Sequence, residues 1–333
     1  MIEINMPLAL HLPFHQRHST EIVMEYTQLK PGRAFKPLHS LLYYTQRIVT
    51  PRRLRKVVVR GLAGYLRVRH GMPDQKLSAD LAHQQALAML QAEGHTVLGT
   101  LLKPSQIADI HRYLADKPVS PHGRGLPTFP AQQPPPGLSM AEYSLADTLA
   151  CPHLLKLANS AALVRLAAQY IGCKPTISAI GLRWSYPQLG SGKGLQGFHR
   201  DCDDWRFIKV FVYLTDVDDA AGPHVYVGGT HQEHCSVRLQ AYSDAEVDSR
   251  YGAPRISRVT GPAGTGFAVD TRGIHKGQVP TQKPRLLLQV QYSLLPVYMY
   301  RYAAPQRMAP GPLDSYINRL FVRQRKMVPG GKR

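Results

Sequence analysis

The chain has 333 residues, 44% hydrophobic and 19% charged, which suffices for one large globular domain or two modest ones and excludes a disordered or fibrous protein. No apolar run of about 18 residues is available to cross a bilayer, the opening Met1-Ile2-Glu3-Ile4-Asn5 lacks the basic-then-apolar order of a secretory signal, and Cys151, Cys173, Cys202 and Cys235 show no paired spacing for a zinc knuckle or a disulfide framework. The expected location is therefore cytoplasmic, with reduced thiols, and the formal charge of +19 calls for an anionic partner without naming it.

Residues 1–46 set short apolar pieces between Pro7, Pro13, Pro31 and Pro37, which reads as an irregular or loosely helical arm. His11, His15 and His18 have helical spacing, but Pro13 interrupts it, so a solvated arm is favoured over a metal-binding face. From Arg47 to Arg69 eight basic residues occur with no acid among them. With Leu54, Val57, Val58, Tyr65 and Val68 interleaved, residues 47–69 could form a basic amphipathic helix in peripheral contact with an anionic membrane; the plainer alternative is an ordinary helix with a solvated basic face. Gly61 and Gly64 weaken a long helix.

A catalytic domain is expected over residues 78–300, leaving 1–77 as a basic extension outside it and 301–333 as a basic tail. Residues 78–93 have helical periodicity and end at Gly94, a natural C-terminal cap. A strand over 95–102 follows, then a helix over 107–114 for which Ser105 is the expected N-cap. Residues 117–139, punctuated by Pro118, Pro121, Pro127, Pro130 and Pro134 to Pro136, are expected to lack regular structure and to form a lid, a binding loop or a disordered insertion. Residues 154–158 and 161–171 read as buried helix closed by Gly172, residues 175–187 as β-rich, and 190–194 as a flexible turn. From there to 296, short strands alternate with turn residues, which suits an antiparallel barrel or sandwich, with a short helix over 244–251 near its mouth.

The stretch Gly197-Phe198-His199-Arg200-Asp201 stands apart. In a strand, residues two apart share a face, so His199 and Asp201 point the same way. A redox-active non-haem iron takes two neutral imidazoles and one carboxylate on one face and leaves the opposite positions open. The second histidine must come from elsewhere, and His275, seventy-four residues beyond Asp201, ends a strand-like run. Asp203 and Asp204 compete for the carboxylate role but would sit beyond the strand. His224 and His231 read as supporting groups near the site. Ten residues past His275, Arg285 opens the run Leu286-Leu287-Leu288-Gln289-Val290, where a guanidinium fork could clamp a small dicarboxylate. Arg272, its rival, suits a structural salt bridge better. Arg183, Trp184 and Gln196 are further candidates to line the pocket.

These residues carry a resemblance. His199-x-Asp201, the distant His275 and Arg285 resemble the signature of the iron(II)/2-oxoglutarate-dependent dioxygenases. The wider context, with Tyr213-Leu214-Thr215-Asp216-Val217, Gly222-Pro223-His224 and Gly228-Gly229-Thr230-His231, is similar to the phytanoyl-CoA dioxygenase-like branch, as is the opening of helix, Glu93-Gly94, strand and Leu102-x-Pro104. The resemblance covers about two-thirds of the chain. It implies a mainly β fold with flanking helices around a double-stranded β-helix (jelly-roll) core. It also implies iron(II), 2-oxoglutarate and O2 as cofactor and co-substrates, with His199, Asp201 and His275 on the metal and Arg285, aided by Gln196 and Trp184, on 2-oxoglutarate. The implied reaction is hydroxylation of an unactivated C–H bond, since halogenating members have a small residue where Asp201 stands. The expected partner is a small-molecule substrate, anionic or acyl; nucleic acid is not expected. Two rivals remain: a non-catalytic barrel binding lipid or another polyanion through its basic arm, and a cupin-like metal enzyme that does not use 2-oxoglutarate.

Overall fold

A computed structural model gives the fold and describes residues 25–26, 29–32, 35–73, 81–122, 127–188, 192, 194–233, 241–302, 306–308 and 313–324. His11, His15, His18, Cys235 and most of the turn at 190–194 lie outside the described residues.

The chain opens with β1 (Glu25–Tyr26), α1 (Pro37–Ile48) and α2 (Arg52–His70), then α3 (Leu81–Glu93), β2 (His95–Thr100) and α4 (Pro104–Leu114). Three short strands follow, β3 (Pro118–Pro121), β4 (Phe129–Pro130) and β5 (Met140–Tyr143), and then three helices, α5 (Leu145–Ala150), α6 (Leu154–Ala158) and α7 (Ala161–Ile171). The remainder is mostly strand: β6 (Thr176–Ser185), β7 (Phe207–Tyr213), β8 (His224–Val227), then α8 (Asp244–Tyr251), β9 (Ile256–Val259), β10 (Thr265–Val269), β11 (His275–Gly277), β12 (Arg285–Ser293) and β13 (Tyr300–Arg301).

Eight strands form one antiparallel sheet in the order β2-β10-β7-β12-β6-β5-β3-β4, and β11-β8-β9 form a second. Helices flank the larger sheet, and the whole is a double-stranded β-helix. The period of two along the central strands explains the layering. On β7, Ile208, Val210 and Val212 join Leu286, Leu288 and Val290 of β12 in the main core, which also holds residues of α4 to α7. Their neighbours Phe211 and Tyr213 turn inward and meet Tyr226, Val259, Phe267 and Val269 in a second cluster shared by strands of both sheets. Both faces of the large sheet are thus apolar. Polar side chains on the inner face include Lys209, Arg183, Gln289 and Arg285, and these mark the site.

Several expectations change. Residues 37–46 are regular helix, because Pro37 sits at the first helical position, where its missing N–H is no loss. α4 starts at Pro104, and its cap is Lys103 in place of Ser105, with the Lys103 backbone N–H donating to Gln106 Oε1 at 2.9 Å. The proline-rich insertion is not wholly irregular: β3 and β4 pair at the outer end of the large sheet, where Pro118 faces Pro130 and a missing donor costs little. Residues 197–201 do not make a full strand; a single bridge from His199 to His275 joins them to the smaller sheet, and another links Phe198 to Tyr242. α2 runs through Gly61 and Gly64 because Val59, Ala63 and Leu66 bury one face in the main core, which outweighs about 1 kcal/mol of lost helix propensity per glycine. Residues 52–70 therefore lie against the barrel instead of outside it. Among the described residues no helix is long and apolar enough to cross a membrane.

Candidate metal centre and its cavity

The smaller sheet brings the two histidines together. The His199 backbone N–H donates to the His275 carbonyl at 2.9 Å, and the His275 N–H donates back to the His199 carbonyl at 3.0 Å. Residues opposed in such a pair share a face, and the ring centroids lie 4.3 Å apart. Asp201, two residues on, is fixed by its N–H donating to the Thr271 carbonyl at 2.8 Å. Each ring is oriented the same way: Nδ1 of His199 lies 2.8 Å from the Gly197 carbonyl and Nδ1 of His275 lies 3.0 Å from the Gly273 carbonyl. A carbonyl only accepts, so in each neutral ring the proton sits on Nδ1 and Nε2 carries the lone pair. The lack of a side chain at Gly273 matters here, since a Cβ would collide with Tyr226 Oη.

The two Nε2 atoms face one carboxylate, His199 at 3.6 Å from Asp201 Oδ1 and His275 at 3.6 Å from Oδ2. His199 Nε2 is buried with no hydrogen-bond partner. Burial and the neighbouring His199 push His275 down to about 3, which keeps it a neutral donor. Burial favours the neutral form of His199 too, but the Asp201 carboxylate outweighs it and raises the pKa. Two ring lone pairs and a carboxylate with all ligand atoms within 4.8 Å of one another suit a divalent cation, and they form the one such group among the described residues. The donor set of two imidazoles and one carboxylate fits iron(II) and leaves coordination positions for other ligands.

A cavity of about 220 Å³ opens on this centre and reaches Arg285. Arg285 is buried at 4% exposure. Its Nη2 donates to Ser185 Oγ at 3.2 Å, while Nε and Nη1 have no partner. Burial lowers its pKa, but a guanidinium stays charged. A Cβ at Gly277 would come within 3.0 Å of Nη2, so the absent side chain gives the guanidinium its room. Gln196, also buried, adds Nε2 as a third unpartnered donor on the same wall. The cavity thus has a cation site at one end and orphaned donors with a fixed positive charge at the other. A small dicarboxylate satisfies both.

The remaining candidates are placed as follows. Arg183 lines the cavity but is held by Glu142 at 2.6 Å. Trp184 does not line it: Arg183 and Ser185 face inward, so by alternation Trp184 faces the main core, where its Nε1 donates to Tyr143 Oη at 3.1 Å. The expected contact of Trp184 with the co-substrate is therefore not made. Asp204 is fully buried and accepts from the Trp205 and Leu295 N–H groups, a purely structural arrangement. His224 lines the cavity and stacks on His275, 5.6 Å between centroids; burial and the nearby cationic groups hold it neutral. His231 lies elsewhere, with Nε2 against the Gln91 carbonyl at 3.1 Å. Arg272 pairs with Asp270 at 2.7 Å, the salt bridge anticipated for it.

Sequence reasoning missed Lys209. Its ammonium donates to Asp201 Oδ2 at 2.6 Å and lies 3.1 Å from Asp203 Oδ2. Burial works against every charge in this group, yet Lys209 and the two imidazoles hold Asp201 well below the usual carboxylate range. The signal was present: Lys209 is a charge inside Phe207-Ile208-Lys209-Val210-Phe211, in phase with the inward-facing Phe211 and Tyr213.

No family model and no curated protein matches the sequence. Among solved structures, the chain is similar to AviO1 from Streptomyces viridochromogenes Tue57, with 18% identity over 65% of this chain and 96% of that one and a TM-score of 0.41. It is similar to HygX from Streptomyces hygroscopicus with nickel and 2-oxoglutarate bound, with 16% identity over 68% of this chain and 90% of that one and a TM-score of 0.44. It is also similar to EctD from S. alaskensis with bound Fe, with 18% identity over 77% and 92% and a TM-score of 0.46. At these values the likeness carries no chemistry; the side chains of the site do.

Proposed function

We propose that the protein is an iron(II)- and 2-oxoglutarate-dependent oxygenase of the phytanoyl-CoA dioxygenase-like branch that hydroxylates a C–H bond of a small anionic or acyl substrate. One observation carries the reading: His199, Asp201 and His275 present two ring lone pairs and a carboxylate to a common point, in a cavity whose other end holds a buried guanidinium with two unpartnered N–H groups. Iron(II) held by those three residues would supply oxygen activation coupled to decarboxylation of 2-oxoglutarate to succinate and carbon dioxide, with one oxygen atom passing to the substrate. The chain's own residues do the rest. Arg285 binds the far carboxylate of the co-substrate, with Gln196 Nε2 as a further donor. The Gly197 and Gly273 carbonyls keep the rings in the metal-binding tautomer. Phe211 and Leu287 supply apolar wall between the metal centre and Arg285.

The outer faces of α1 and α2 support a second element of the proposal, peripheral contact with an anionic membrane. Among the described residues, eight of the eleven large apolar side chains most exposed lie on these helices, including Leu54, Val57, Tyr65 and Val68 at helical spacing on α2, which has no acidic residue. A cytoplasmic location suits the free thiols of Cys151 and Cys173. The enzymatic proposal is tested by anaerobic addition of iron(II) and 2-oxoglutarate, which should give a weak visible charge-transfer band, followed by oxygen and measurement of succinate. A protein that gives neither band nor succinate is not this enzyme.

A further inference from the structure

A second and larger cavity, about 410 Å³, lies between α1–α2 and the loop that follows His199, and Asp201 lines both cavities. Its walls carry seven cationic side chains against two acidic ones, Asp201 and Glu233. Some of these charges are engaged. Glu233 is held by Arg200 at 2.8 Å, Arg272 by Asp270, and Arg55 donates to the Gln46 and Asp204 carbonyls. Among the described residues, no ion pair joins Arg47, Lys56, Arg60 or Arg206. The Arg47 guanidinium lies 4.2 Å from the Tyr43 ring centroid and that of Arg206 lies 4.5 Å from Tyr170; the Nε of each is buried without an acceptor. A guanidinium held over a ring face still has N–H groups to offer an acceptor. Lys56 and Arg60, one turn apart on α2, are exposed at the cavity rim.

An excess of five positive charges in one cleft is more than a single carboxylate would offset. A phosphate monoester carries about two negative charges and three acceptor oxygens, and linked phosphates carry more, in the shape that guanidinium forks bind. We propose that this cleft binds the phosphate, or linked phosphates, of the substrate, so that the rest of the molecule extends past Asp201 towards the metal centre. The location of the reacting carbon rests on the oxygenase reading; phosphate binding does not.

The probe is inorganic pyrophosphate, titrated calorimetrically into the full chain at fixed ionic strength, with acetate as the control. Lys56→Glu combined with Arg60→Glu changes only exposed side chains and should weaken pyrophosphate at least about tenfold, roughly one charge-assisted hydrogen bond. Arg206→Gln should weaken it as well. Vesicles of phosphatidic acid in phosphatidylcholine are then added as competitor. Displacement of pyrophosphate assigns the phosphate to a lipid headgroup, and none assigns it to a soluble ester. Pyrophosphate that binds no better than acetate, or equally well to all variants, overturns the proposal. The band formed with iron(II) and 2-oxoglutarate separates the two readings: its presence with no pyrophosphate binding sinks only the cleft, and its absence from the unaltered protein sinks only the oxygenase.

Discussion

Arg285→Met tests the co-substrate site from two sides. The guanidinium is buried, touches one side-chain acceptor at 3.2 Å and leaves two N–H groups unpaired. Removing one partner of a buried ion pair costs about 3 kcal/mol or more, so 2-oxoglutarate should bind about 100-fold more weakly to the variant. In the protein without co-substrate the sign reverses. There the guanidinium is a desolvated charge lacking a counterion, and methionine, similar in length and apolar, should raise stability by about 1 kcal/mol, a gain of roughly 2 °C in Tm for a protein of this size. The assays are an anaerobic 2-oxoglutarate titration followed by the charge-transfer band, and a thermal melt without ligand. Unchanged 2-oxoglutarate affinity in a folded Arg285→Met protein would refute the assignment of Arg285, whatever the melt shows.

Further outcomes are expected. Gly273→Ala forces a Cβ into Tyr226 Oη and shifts the carbonyl that orients His275; it should cost about 1–3 kcal/mol in denaturant unfolding and weaken metal binding with it. Burial raises the Asp204 pKa to about 7 against the pull of two backbone N–H groups, so the folded state holds this proton over a range where the unfolded chain has released it. Stability should therefore fall as pH rises from about 4 to about 7, by up to about 1.4 kcal/mol per pH unit, and Asp204→Asn should flatten that slope in melts across the range. Val57→Asp with Val68→Asp, both on the exposed stripe of α2, should abolish salt-sensitive binding to anionic liposomes and leave pyrophosphate binding intact; vesicle binding that survives would remove the membrane role of this face.

The candidate metal centre was legible because its signals are local. His199 and Asp201 are two residues apart, and Arg285 follows His275 by ten, so each half of the site declares itself within a short window. The pairing of the halves needs the bridge between His199 and His275, which periodicity does not show. Trp184 was misplaced for a related reason. Its strand was recognised, but alternation sets the face only once one member is fixed, and Arg183 and Ser185 take the inward positions. Lys209 lies within an apolar run and carries no metal-ligand spacing, although a charge at an inward position of a core strand marks a buried carboxylate nearby. α2 shows the same limit. Its basic and apolar residues are visible in sequence, but only packing tells that Val59, Ala63 and Leu66 face the core, Lys56 and Arg60 the cleft, and Leu54, Val57 and Val68 the solvent.

Equilibrium dialysis of the whole chain against cobalt(II), an air-stable substitute for iron(II), addresses the centre itself. The geometry of His199, Asp201 and His275 predicts a single tight site per chain that disappears in His199→Ala and in His275→Ala while the melt shows both variants folded. Failure to bind cobalt(II), or equal binding by the two variants and the unaltered protein, would contradict the assignment of those three residues to a metal.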